Sequence, residues 1–337
     1  MAGEERMAVA QRTTYRVFVD TDLGGDPDDI QSLVHLLHYT DILRLEGLTS
    51  CTGPGSDNST AKIREWVLRT DLDHLRRNGY PELMAEDEVL NVLRQGAIDA
   101  GAPSAERSTA ASKWLSDCAK REDPEGRGRP LWVLVWGSLT NVAQALHDCA
   151  DIAAGIRVYS IGSSNTTHDP AARDFVYHFM EERCPRFWWI ENGILPRFSR
   201  DTFRGYYSGG DQSGIWGNQA FIHHVIRGRG TTRQGMFSTV LGDAFPVADW
   251  PEGTLKEGDS PTFTYLLAPV VANVGNVNDP TVPSWGGQFA APEPSRFPNY
   301  FTDLPLPAAD CQRTINRWRV DYLRHWKLRW ERYGGTA

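Results

Sequence analysis

Five carboxylates crowded behind one short apolar run constrain the fold more than any other feature of the chain. The run at residues 15–20 is rich in β-branched and aromatic side chains, which predicts a buried parallel strand. The acids that end or follow it are Asp20, Asp22, Asp26, Asp28 and Asp29. Neighbouring carboxylates raise one another's pKa unless a cation lies among them. The pattern therefore predicts an ion-binding loop between a strand and a helix.

The chemistry of this loop indicates which ion it would take. Every candidate ligand is an oxygen, and oxygen ligands suit Ca²⁺, Mg²⁺ or Mn²⁺ better than zinc. Gly24 and Gly25 allow the sharp turn that brings both ends of the loop together. The loop differs from an EF-hand because no Glu closes it at the twelfth position. The alternative is a solvated acidic turn that caps the following helix.

Strand and helix patterns alternate along the first two thirds of the chain. Strands are predicted at residues 15–20, 43–49, 131–136, 156–161 and 187–190, and helices at 30–39, 61–68 and 141–149. This alternation is typical of an α/β fold with a doubly wound, mostly parallel central sheet. From about Arg200 glycine and proline become dense, which predicts a loop-rich C-terminal third of one domain, residues 15–337. The basic, tryptophan-rich residues 313–332 predict a terminal amphipathic helix.

Composition excludes several classes of function. The 337 residues are 40% hydrophobic and carry a net charge of −8, which fits a large globular core and disfavours nucleic acid as a partner. The five cysteines form no CxxC pair, so neither disulfides nor a thiolate metal site is expected. Residues 1–14 are polar and are expected to be flexible, without a secretory signal or membrane span. These features together predict a cytoplasmic protein.

The acidic segment resembles the N-terminal signature of the nucleoside hydrolases, Asp-x-Asp-Pro-Gly-x-Asp-Asp. The matching positions are Asp20, Asp22, Gly24, Asp28 and Asp29. Leu23 stands in place of proline and two extra residues precede the Asp pair, a variant similar to the "nucleoside hydrolase-like" branch of unknown function. Segments 137–143, 158–162, 257–267 and 283–289 resemble later motifs of the family or branch in the same order, so that the resemblance spans about residues 15–330.

The resemblance implies a set of roles for this chain. A Ca²⁺ ion would be held by Asp22, Asp29, the main-chain carbonyl of Trp136 and Asp259. Asp22 would also remove a proton from the attacking water, and Asp28 would bind the sugar. The implied reaction is hydrolysis of an N-glycosidic bond through an oxocarbenium-like transition state. The resemblance also implies a homo-oligomer, either a dimer or a tetramer.

Two departures from the family affect recognition of the substrate. Gly258 stands where many nucleoside hydrolases have a His that serves the leaving base, and alignment of residues 172–177 with the family's Ala-Glu-Phe-Asn puts Val176 at the sugar-binding Asn. The same alignment puts Asp174 at the family's Glu, which makes it a substrate-binding candidate. Asn58, Asn165 and His168 are further candidates because they follow predicted strands, and Trp285 is one because its ring can stack on a base or sugar. For His168 the alternative is a surface-loop histidine, and for Trp285 it is a buried anchor.

Four functions are weighed on these grounds. The first is a Ca²⁺-dependent glycosidase that cleaves a nucleoside or nucleoside-like compound. The second is a glycosidase of the same fold that acts on another glycoside, a C-nucleoside or a specialised metabolite, and the third is a metal-dependent sugar-binding protein without turnover. A Mg²⁺-dependent phosphatase is disfavoured, because no Lys or Arg accompanies the acidic loop to hold a phosphate.

Overall fold

A single eight-stranded sheet organises the chain in a computed structural model that describes residues 15–24, 27–56, 58–194, 201–227 and 254–334. Its strands are β1 (Tyr15–Thr21), β2 (Leu43–Ser50), β3 (Leu93–Arg94), β4 (Leu131–Val135), β5 (Ile156–Ile161), β6 (Trp188–Asn192), β7 (Phe289–Ala290) and β8 (Tyr300–Asp303). They lie in the order β3-β2-β1-β4-β5-β6-β8-β7. Among the described strands only β7 is antiparallel to its neighbour. The mostly parallel α/β sheet predicted from the sequence is confirmed.

Helices cover both faces of this sheet. The α-helices are α1 (Pro27–Leu37), α2 (Thr60–Thr70), α3 (Leu72–Arg77), α4 (Glu86–Asn91), α5 (Ala110–Lys120), α6 (Thr140–Asp148), α7 (Ser164–His168), α8 (Pro170–Glu182), α9 (Asn218–Phe221), α10 (Pro261–Val271), α11 (Ala308–Asn316) and α12 (Arg319–Trp330). Short 3₁₀ segments span Ala150–Ala154, Thr202–Tyr206, Gly214–Trp216 and Glu331–Tyr333, and one π-helical turn spans Ile222–Ile226. None of the described helices has the length and apolar character needed to cross a membrane.

The central strand β4 shows why a continuous apolar run belongs in the middle of this sheet. Its five residues are all buried. Successive side chains point to opposite faces, so Trp132 and Leu134 pack in one hydrophobic cluster while Leu131, Val133 and Val135 pack in the other. Burial of each such side chain stabilises the fold by about 1.5–3 kcal/mol. The two clusters are the cores beneath the two layers of helices.

The C-terminal third has more regular structure than its composition predicts. α10, β7, β8 and α11 all lie in the segment expected to be rich in loops. The single amphipathic helix expected over residues 313–332 is divided at Arg317 and Trp318 into α11 and α12. All five cysteines are free thiols, as their spacing predicts.

Candidate active site

A pocket opens at the carboxyl edge of the sheet, where loops after four parallel strands meet two segments from the second half of the chain. The residues that line it are Asp22, Asp28, Asp29, Pro54, Trp136, Ile161, Ser164, Asn165, Phe203, Arg204, Lys256 and Asp259. Ligands of open α/β sheets bind at this edge, outside the carboxyl ends of the strands. We refer to it below as the acidic pocket.

Three buried carboxylates converge in the acidic pocket. One oxygen each from Asp28, Asp29 and Asp259 lies within 4.8 Å of the other two. Oxygens on opposite sides of a Ca²⁺ ion lie roughly 4.6–5.2 Å apart, because each Ca–O distance is about 2.3–2.6 Å. The spacing and the all-oxygen donor set therefore fit a hard divalent cation. Asp22, also buried, lines the same pocket, which brings together the four carboxylates proposed from the sequence.

The loop after β1 fixes the orientation of these acids. The Thr21 hydroxyl donates a hydrogen bond to Asp29 Oδ1 and accepts one from the Leu23 amide at 3.1 Å. Asp22 packs against two glycines, and a Cβ at either Gly53 or Gly137 would overlap it or lie within 2.9 Å of it. Glycine is therefore required at both positions by the close approach of the Asp22 side chain.

Gln31 holds the segment of residues 254–257 that precedes Asp259, more than 200 residues away in the sequence. Its Oε1 accepts hydrogen bonds from the amides of Lys256 (2.7 Å) and Glu257 (3.0 Å), and its Nε2 donates to the Thr254 carbonyl at 3.1 Å. Gln31 lies on α1 two residues after Asp29 and is fully buried. One helix therefore carries both the Asp pair and the clamp that places the third acid beside it.

A second layer of buried polar contacts lies next to this clamp. His35 Nδ1 lies 2.7 Å from Glu257 Oε2, Ser260 Oγ donates to the same oxygen, and Ser32 Oγ lies 2.9 Å from Ser260 Oγ. Burial raises the pKa of Glu257 to about 8 and, with Arg329, lowers the pKa of His35 well below its usual value. Both pKa shifts disfavour the charged form, so burial favours a neutral hydrogen bond between Glu257 and His35 over an ion pair.

Asp20, the first acid of the sequence motif, has a different environment from the others. Its Oδ1 accepts hydrogen bonds from Thr49 Oγ1 at 2.6 Å and Asn141 Nδ2 at 2.9 Å, and burial raises its pKa to about 7. Asn141 also donates to the Ser50 carbonyl at 2.9 Å. These contacts tie β1 and β2 to the start of α6. The Asn of the Gly-Ser-Leu-Thr-Asn motif thus holds the strand ends together.

The carbonyl of Trp136, proposed from the sequence as a metal ligand, accepts a hydrogen bond from Asn165 Nδ2 at 2.5 Å. The same nitrogen donates to the Ile161 carbonyl at 3.1 Å. Asn165 thus lies in the pocket as the sequence suggested, but its amide nitrogen is engaged with the protein backbone. A carbonyl oxygen has two lone pairs, so that the contact with Asn165 leaves one for an ion.

Two cations enter the acidic pocket that the sequence did not place there. Lys256 Nζ lies 3.0 Å from Asp28 Oδ2, and Arg204 reaches the pocket from the 3₁₀ segment Thr202–Tyr206. No Lys or Arg lies next to the acids in the sequence of the loop, as expected, but the fold brings Lys256 and Arg204 into the same pocket. Gly258 is the position at which many nucleoside hydrolases have a histidine. A Cβ there would overlap Asp28 Oδ2, the oxygen that contacts Lys256, so this chain has no room for a side chain at that position.

The remaining substrate-binding candidates lie outside the lining of the acidic pocket. Asp174 is exposed on α8 beside Arg173, and Asn58 donates its side-chain amide to the Ile98 carbonyl at 2.8 Å. His168 Nε2 lies 2.8 Å from Thr52 Oγ1. Trp285 is 3% exposed and packs in the core, which matches the buried-anchor alternative.

Comparison with known proteins agrees with the sequence motifs. The family described as "Cellulose-binding Sde182, nucleoside hydrolase-like domain" matches residues 16–289, which is most of the chain. No curated protein matches this chain in sequence.

Two solved structures show the same fold at low identity, and a third is less similar. A nucleoside hydrolase-related hypothetical protein from Saccharophagus degradans, associated with carbohydrate metabolism, is 19% identical with a TM-score of 0.68, over 96% of this chain and 73% of that one. The effector protein XOO4466 is 12% identical with a TM-score of 0.51, over 93% and 95% of the two chains. A purine-preferring ribonucleoside hydrolase from Gardnerella vaginalis is 14% identical with a TM-score of 0.49, over 93% and 99%.

Proposed function

This chain belongs to the Sde182 nucleoside hydrolase-like family, and we propose that it hydrolyses the N-glycosidic bond of a nucleoside or nucleoside-like compound with the help of a bound Ca²⁺ ion. The observation that carries the proposal is the convergence of Asp28, Asp29 and Asp259 within 4.8 Å, with Asp22 in the same pocket. Lys256 and Arg204 can balance at most two of these four buried carboxylates, and the remainder are costly without a further cation. An enzyme or a sugar-binding protein that uses a metal ion is therefore favoured over a plain helix cap.

Asp29, Asp259, Asp22 and the Trp136 carbonyl are the proposed ligands of the ion, and Asp28 lies close enough to join them. When bound, Ca²⁺ would lower the pKa of a water molecule and fix the hydroxyls of a sugar in one orientation. The Thr21 hydroxyl would hold Asp29 in position, and the Gln31 clamp would hold the segment of Asp259.

Asp22 is the proposed general base. Its carboxylate would take a proton from the attacking water, whose oxygen bonds to the anomeric carbon while the bond from that carbon to nitrogen breaks. The electron pair leaves with the nitrogen of the aglycone, which takes up a proton from solvent, and Asp22 then returns its proton to solvent. The surrounding carboxylates would stabilise the positive charge that develops on the sugar. Asp28 would accept a hydrogen bond from a sugar hydroxyl, and Lys256 would hold the Asp28 carboxylate in place.

A glycosidase that acts on a different glycoside is the second candidate. It is supported by the glycine at position 258 and by Lys256 and Arg204 in the pocket, because these change the surroundings of the leaving group and could favour an anionic substituent on the substrate. The family description names cellulose binding, and the Saccharophagus relative is associated with carbohydrate metabolism. A metal-dependent sugar-binding protein without turnover is the third.

A reducing-sugar assay over a panel of ribonucleosides, other N- and C-glycosides, and O-glycosides with and without a carboxylate or phosphate tests these candidates. Release from nucleosides supports the first proposal, and release confined to other glycosides supports the second. Calcium-dependent binding of a sugar with no release from any member leaves only the binding protein. All three candidates fail if neither release nor calcium-dependent binding occurs.

A further inference from the structure

A second, larger cavity lies at the opposite edge of the sheet, around the amino ends of β1, β4, β5 and β6. Its volume is about 590 Å³. Five arginines line it together with one carboxylate, Asp123, among the described residues: Arg16, Arg121, Arg129, Arg157 and Arg186. The local charge is therefore opposite to the net charge of −8 that the whole chain carries. We refer to this site as the arginine cavity.

Two of the five arginines are neutralised within the protein. Arg16 makes a two-pronged contact with Glu46, with nitrogen–oxygen distances of 2.8 and 2.9 Å. Arg129 contacts both oxygens of Asp123, at 2.8 and 2.7 Å. Arg16 and Arg129 therefore have a structural role, because each guanidinium is already paired with a carboxylate.

Arg157 differs because no carboxylate contacts it in the described part of the chain. Its guanidinium lies 5.4 Å from the ring centroid of Trp132 and 5.2 Å from that of Trp188, and donates to Asn278 Oδ1 at 2.7 Å. Burial lowers the pKa of Arg157. A cation that is partly removed from water is destabilised unless an anion lies near it.

Arg121 and Arg186 extend this uncompensated charge to the mouth of the cavity. Both are exposed, and neither makes an ion pair with any residue that the structure describes. The Arg186 carbonyl accepts a hydrogen bond from Asn299, which ties the backbone of this arginine to the cavity wall. Three guanidinium groups therefore line one concave surface, and no carboxylate of the described residues forms an ion pair with any of them.

We propose that the arginine cavity binds a small molecule that carries an oxyanion, namely a phosphoryl, sulfuryl or carboxyl group, through Arg157, Arg186 and Arg121. A guanidinium presents parallel N–H donors that match two oxygens of such a group. The cavity of about 590 Å³ has room for a molecule of one or two rings rather than for inorganic ions alone. A nucleic acid is disfavoured by the acidic chain as a whole. This proposal does not depend on the activity of the acidic pocket.

Isothermal titration calorimetry with sulfate, inorganic phosphate and glucuronate, at constant ionic strength in chloride, tests the proposal. We expect saturable binding of at least one of the three. Arg186→Gln and Arg157→Gln should each weaken it roughly tenfold or more, because each removes a charge-assisted contact. Arg183→Gln is the matched control, since Arg183 is exposed three residues away and lies outside the cavity lining.

The second control separates the two pockets. Lys256→Gln removes a cation from the acidic pocket and should leave binding of the anion unchanged. The proposal is overturned if none of the three anions saturates, if Arg183→Gln weakens binding as much as Arg186→Gln, or if only Lys256→Gln abolishes it. Arg186 is exposed, so its variant keeps the test valid even if Arg157→Gln does not fold. The preferred anion then identifies the group that the ligand carries.

Discussion

At the carboxyl edge of the sheet, buried carboxylates surround a pocket of about 60 Å³, whereas at the amino edge arginines line a cavity of about 590 Å³. The acids are almost wholly removed from water; Thr21 donates a hydrogen bond to Asp29, and Gln31 holds the backbone segment that precedes Asp259. Arg121 and Arg186 remain exposed. Buried like charges need a partner to be tolerated, while exposed charges are screened and cost little. Substitution of the buried acids should therefore have large effects, and substitution of the exposed Arg121 or Arg186 small ones.

The largest effect is expected from Asp22→Ala. Loss of the proposed general base should lower the rate of sugar release by roughly 10²–10⁴-fold with the fold intact. Asp174→Ala is the control, because Asp174 is exposed on α8 and should leave the rate unchanged. The reducing-sugar assay measures both, and circular dichroism checks the fold. An Asp22→Ala protein that works at the wild-type rate would rule out this mechanism.

Removal of the proposed ion should give the largest effect on stability. A ligand that binds only the native state, at a free concentration about 100 times its Kd, stabilises the protein by about 2.7 kcal/mol. EGTA should therefore lower the Tm by about 4 °C, and added Ca²⁺ should restore it. Asp29→Asn should show no shift with EGTA, since it loses a ligand. An equal shift in the wild type and the variant would contradict calcium binding at this site.

A smaller effect is expected from Gln31→Ala. The change leaves two buried amides and one carbonyl of residues 254–257 without their partner, which should lower the free energy of unfolding by about 1–3 kcal/mol. Calcium affinity should also fall, because the segment that carries Asp259 is no longer clamped. Gln219→Ala, at an exposed position on α9, is the control for denaturant unfolding. Unchanged calcium affinity in Gln31→Ala would argue against the clamp.

The smallest effect is expected at the amino edge. Arg186→Gln should change the free energy of unfolding by no more than about 0.5 kcal/mol, because it removes an exposed side chain without an ion pair among the described residues. Sugar release should also be unchanged. Chemical denaturation and the same assay measure both. A large loss of stability or of sugar release would mean that the two edges of the sheet are coupled. The difference between them would then not be explained by burial alone.

The sheet could be predicted where the pattern was local. Residues 131–136 form one apolar run, and such a run in an alternating series of strands and helices indicates a central parallel strand. β3 and β7 have two residues each, and their pairing depends on neighbours distant in sequence, so no local pattern could indicate them. The division of the terminal helix at Trp318 likewise depends on packing rather than on periodicity.

Three of the four acids of the candidate site were identifiable for the same reason, since Asp22, Asp28 and Asp29 lie in one short segment. Asp259 was identified only through the resemblance to the family. Lys256 and Arg204 were not identified, because nothing in their local sequence marks them as neighbours of Asp28. Only the fold brings them there. A lysine three residues before Asp259 was the one signal available. Asp26 and Gly25, from the same motif, lie outside the described residues.

Metal analysis of the purified protein, combined with sugar release before and after chelation, tests most directly the claim that this acidic pocket is a calcium-dependent glycosidase site. We expect one calcium ion per chain in the wild type and none in Asp29→Asn. EGTA should abolish sugar release, and added Ca²⁺ should restore it. A protein that binds no divalent ion, or one that releases sugar equally well in EGTA, would contradict the claim.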